Sequence, residues 1–115
     1  MPSFTLPISE IYKIESEKVY FMKVNIESNA TLIGEMRESV GMCINFFVLD
    51  EANMKNWLNN RTFTAYAKAQ TVGKYNFTFT TDHDGTYYFV FDNREFYVHA
   101  PCSDKVIIFK LKRQE

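Results

Sequence analysis

Residues 81–93 read TDHDGTYYFVFDN, and the second half of that stretch limits the fold more than any other part of the chain. Side chains along a strand alternate between its two faces. Tyr87, Phe89 and Phe91 therefore point one way, Tyr88 and Val90 the other, and both faces are apolar. Such a strand lies inside a sheet with apolar material packed above and below it. Residues 43–49, CINFFVL, repeat the pattern apart from Asn45 and form a second candidate central strand.

The other apolar segments show one apolar face each. Phe4, Leu6 and Ile8 alternate with Ser3, Thr5 and Pro7 as a short edge strand, and residues 10–15 follow with Ile11 and Ile14 as apolar members. Tyr20, Met22, Val24 and Ile26 share a face, opposite Phe21, Lys23 and Asn25. Ala30, Leu32, Gly34 and Met36 share the next, where Gly34 marks a bulge or a close backbone approach. Phe63, Ala65, Ala67 and Ala69 form another row, then Tyr75, Phe77 and Phe79, and last Ile107, Phe109 and Leu111 opposite Val106 and Ile108. With 11 Phe and 7 Tyr, the aromatic content suits strands. Only residues 50–60 read as a helix. Asp50 is placed to cap it, and Met54, Trp57 and Leu58 make one apolar stripe, expected to close an end of the sheet stack. The expected architecture is all-β: a single antiparallel β-sandwich of about eight strands with one short helix, jelly-roll-like, spanning residues 1–115 as one domain.

The order of features across residues 46–93 is specific. Phe47-Val48-Leu49-Asp50-Glu51-Ala52-Asn53 precedes Trp57; the Phe77-Thr78-Phe79 strand, Asp84-Gly85-Thr86-Tyr87-Tyr88 and Val90-Phe91-Asp92-Asn93 follow, and Val106-Ile107-Ile108-Phe109 closes the chain. This order resembles the Golgi-dynamics (GOLD) domain family in its stand-alone form. The resemblance implies a compact antiparallel β-sandwich that makes protein–protein contacts, without catalysis, cofactor or metal. The charged run Gly34-Glu35-Met36-Arg37 departs from the family's small, glycine-rich early strands.

Charge excludes some functions. Lys and Arg number 13 against 14 Asp and Glu, for a net charge of -1, which gives no footprint for nucleic acid or an anionic membrane. No apolar run approaches the ~20 residues of a membrane helix. The start, MPSFTLPISE, has no basic n-region, so a soluble cytoplasmic chain is expected, with secretion open where a leader has been removed. In a cytosolic setting Cys43 and Cys102 are two thiols; a Cys43–Cys102 disulfide is the alternative.

No residue set amounts to an active site. Asp82, Asp84 and Asp92 are too dispersed for Ca²⁺ and read as turn residues. Cys43, Cys102, His83 and His99 lack zinc-site spacing, and His99 with Cys102 lacks an orienting third group. Asp84-Gly85-Thr86-Tyr87 resembles the tyrosine corner of immunoglobulin-like sandwiches, which gives Tyr87 a structural part. Trp57 is structural through its stripe. Residues 94–103 form an aromatic-rich loop, and Arg94, Phe96, Tyr97 and His99 are the candidates for partner contact. The expected function is a non-enzymatic interaction module with a protein partner, a second copy of the chain included. The alternative is a small module that binds carbohydrate or lipid on Trp57 or Tyr66.

Overall fold

A computed structural model describes residues 3–4, 6–15, 17–38, 44–94 and 104–114. Cys43, Cys102, Phe96, Tyr97 and His99 lie outside these. The described residues form nine strands and one helix: β1 (Ser3–Phe4), β2 (Ile8–Ile14), β3 (Val19–Ile26), β4 (Thr31–Glu38), β5 (Ile44–Asp50), α1 (Glu51–Leu58), β6 (Ala67–Val72), β7 (Lys74–Thr80), β8 (Gly85–Asp92) and β9 (Lys105–Arg113).

Two sheets face each other in a β-sandwich. One has the order β1-β3-β8-β5-β6, the other β2-β9-β4-β7. All pairings are antiparallel except the two-residue β1 beside β3. Every connection passes from one sheet to the other except that between β5 and β6, which are neighbours and carry α1 between them. Residues 81–84 are therefore an inter-sheet crossing and not the hairpin tip that their composition suggests.

β8 occupies the centre of its sheet, between β3 and β5. Tyr87, Phe89 and Phe91 enter the main core with Phe46, Phe77, Phe79 and Phe109. Val90 and Tyr88 enter a second apolar cluster on the outer face, with Phe47, Leu49, Met54, Trp57 and Phe63. The two apolar faces of the strand thus answer to two separate layers.

That outer layer corrects the expected position of the helix. α1 lies across β5 and β8 on the outside of the five-stranded sheet, where it buries Met54, instead of closing an end of the stack. Leu58, assigned to its stripe, is 61% exposed. Other strand expectations also meet the structure. The first apolar run splits into β1 and β2, which belong to different sheets. Ile11 of β2 faces outward and is 69% exposed. The run at 62–69 is irregular until Ala67. Of the two alternatives at Gly34 the close approach holds: the register is unbroken, so there is no bulge, and the Phe77 ring fills the space a side chain would take.

Candidate functional site

The helix leaves a hollow where its C-terminal turn meets the edge of the outer layer. Phe47, buried on β5, supports its aromatic side. Trp57 and Phe63 pack on it, with ring centroids 6.3 and 5.4 Å away. Val19 and Phe21 on the outward face of β3 make the far wall, and Leu58, Asn60, Arg61 and Arg94 complete a groove of about 660 Å³. That lies within the range of ligand pockets, roughly 300–1,000 Å³. Among the described residues, hollows of about 620 and 580 Å³ on and beside the four-stranded sheet have no exposed aromatic side chain in their walls.

Arg94 is fixed in place. Asp92, 1% exposed, accepts from the Arg94 backbone N–H at 3.0 Å, from Nε at 3.0 Å and from Nη2 at 2.9 Å. A fork-to-fork pair of this kind sets the guanidinium in a single plane. That plane lies over Trp57, 5.6 Å from its ring, a cation–π arrangement. The hydrogen bonds to Asp92 also raise the pKa of Arg94 above its ordinary value. Lys68 stands over the Phe63 ring at 5.9 Å.

Solved structures share this fold. The pre-peptidase C-terminal domain of a collagenase from Bacillus anthracis aligns with a TM-score of 0.67 at 14% identity, covering 96% of this chain and 92% of that one. PliG from Aeromonas hydrophila, a periplasmic lysozyme inhibitor of g-type lysozyme, aligns with a TM-score of 0.54 at 11% identity, over 97% of each chain. At such identities the likeness is one of fold. No family model matches the chain, and no curated protein does.

A polar cluster lies around the 81–84 crossing. Tyr66 donates to Asp82 Oδ1 at 2.5 Å, and His83 Nδ1 is 2.7 Å from the same oxygen. The Tyr66 bond, and then His83, lowers the Asp82 pKa; burial, and then Asp82, raises that of Tyr66. The other polar contacts here join elements. Asp84 Oδ1 accepts from the Ser28 N–H at 2.6 Å, and Thr81 Oγ1 donates to the Glu27 carbonyl at 2.6 Å. Tyr87 donates to the His83 carbonyl at 2.7 Å. Asp50 caps α1 by accepting from the Asn53 N–H at 2.8 Å.

Among the sequence candidates, Trp57 and Arg94 meet in one groove. Tyr66 stands apart from it, packed on Phe79 and Tyr87 with centroids 5.7 and 5.3 Å away, so it offers no open platform. Asp82 and Asp84 are in the crossing, whereas Asp92 ends β8 on Arg94. Among the described residues, no group of three His, Cys, Asp or Glu side chains could hold a metal ion, and no helix is long and apolar enough to cross a membrane. Phe21, Arg61 and Phe63 were not among the candidates read from sequence. Only the burial of the outer layer reveals them, since they are remote from Arg94 in sequence.

Proposed function

We propose that this chain is a non-catalytic β-sandwich module that binds a protein partner through the groove of Trp57, Phe63, Phe21 and Arg94. The observation that carries the reading is the Arg94–Asp92–Trp57 arrangement: a buried carboxylate fixes an arginine over the one tryptophan of the chain, beside two further rings. Trp and Arg are the residue types most enriched where protein contacts are strongest, and side chains fixed beforehand lose little freedom on binding. The description of PliG as a lysozyme inhibitor supports a protein partner for this fold. The GOLD-like reading of residues 46–93 belongs to the same proposal.

Affinity capture from an extract of cells that make the protein tests it, with wild type, Trp57→Ala and Ile11→Ala compared by quantitative mass spectrometry. A protein retained by wild type and Ile11→Ala but lost by a folded Trp57→Ala is the expected result. Equal retention by all three would remove the groove from the interface. A second reading, a small carbohydrate or lipid ligand, draws on the groove volume. It predicts a thermal shift with glycans or lipids that Trp57→Ala abolishes.

A further inference from the structure

We infer that the occupant of the groove is an acidic protein segment in which a large apolar side chain stands next to a carboxylate. This rests on the preceding reading that the groove binds protein. The walls supply the apolar half: Val19, Phe21, Trp57 and Phe63 line the hollow, and the exposed Leu58 extends its rim. The surrounding charges supply the other half. Arg61 and Arg94 line the groove, and Lys68 stands over its Phe63 ring. Among the described residues no carboxylate lines it; Asp92, just beneath, is already bonded to Arg94.

The cations have separate parts. Asp92 neutralises Arg94, which leaves that guanidinium as a flat wall over Trp57. Arg61 is exposed and has no ion pair among the described residues, so it is the cation that meets a carboxylate. Arg61 lies in the turn after the helix, beyond Asn59 and Asn60: its backbone N–H donates to the Asn56 carbonyl at 2.8 Å, which holds it beside Trp57. A carboxylate at the rim and an apolar side chain on the rings, one or two residues apart, satisfy both halves together. A nucleic acid is the poorer fit, because the whole chain carries a net charge of -1.

A display library of random dodecapeptides, selected on the wild-type protein and counter-selected on Trp57→Ala, tests the inference. Enriched peptides are expected to pair Phe, Trp or Leu with a neighbouring Asp or Glu. Their binding should weaken about fivefold in Arg61→Gln and fall as salt rises from about 50 to 300 mM. Trp57-dependent peptides that are basic or uncharged, or that bind Arg61→Gln equally well, would overturn the acidic partner and leave protein binding in the groove standing. A selection with no Trp57-dependent peptide would overturn both.

Discussion

Tyr87 is held at both ends. Its ring is fully buried between the Phe79 and Phe89 side of the core and the stacked His83 ring, 5.4 Å away, while its hydroxyl bonds the His83 carbonyl. Tyr87→Phe removes that bond and should cost about 0.5–1.5 kcal/mol, read as a lower urea midpoint with an unchanged circular dichroism spectrum. An unaltered midpoint would rule out a clamping role. Gly34 serves the core by having no side chain. The Phe77 ring over it is hemmed in by Phe46 and Phe109, at 5.1 and 6.3 Å. Gly34→Ala should cost about 1–3 kcal/mol through overpacking, and adding Phe77→Leu should recover part of the loss. The phenols have a shared signature. Burial raises the pKa of Tyr12, Tyr20, Tyr66, Tyr87 and Tyr88. A phenol with a raised folded-state value contributes stability that is full below the unfolded pKa, about 10, and is lost as pH rises beyond it. Urea midpoints should therefore fall steeply above about pH 10, and the share of phenolate absorbance that belongs to these five side chains should rise with unfolding and not ahead of it.

At the scale of elements, α1 is anchored locally. Asp50 takes both the N–H and the Nδ2 of Asn53, and Asn53 Oδ1 in turn accepts from the Thr64 N–H at 2.9 Å, which ties the helix start to the segment after it. Asp50→Ala should cost about 1 kcal/mol and loosen Phe63 as well as the helix, a change visible in amide exchange of residues 61–65. The helix and its cap were legible in the residues 50–58 alone. Its resting place was not, because a stripe of Met54 and Trp57 says that something is covered but not which face of which sheet. β8 was legible for the opposite reason: two apolar faces demand two covers wherever the strand lies. The row Phe63, Ala65, Ala67 and Ala69 shows where alternation misleads. Phe63 and Ala65 pack on the outer layer, whereas Ala67 belongs to the main core. The chain there is irregular up to Tyr66, so period two does not carry across the break. The groove was half legible. Trp57 and Arg94 stood out by type, but Phe21 looked like the odd residue on a polar strand face until the helical layer was placed over it.

Taken whole, the sandwich turns two different faces to solvent. The outer face of the five-stranded sheet carries the helix and the aromatic groove. Among the described residues no helix or loop covers the outer face of the four-stranded sheet, where Ile11 and Ile108 are directly paired in register and 69% and 39% exposed. Because the core separates them, these faces should respond independently to mutation. Ile11→Lys should change stability by no more than about 0.5 kcal/mol and leave groove binding untouched; a loss of binding in that variant would mean that the interface is not where Trp57 and Arg94 place it.

The make-up of the two apolar layers has an optical consequence. The main core holds Phe and Tyr, and the single tryptophan stands in the groove wall under Arg94. Indole emission of this protein therefore reports on the groove and hardly at all on the core. A partner that displaces water from the groove should shift that emission to the blue at constant fold. The native chain thus carries its own fluorescent probe of occupancy, with no label attached.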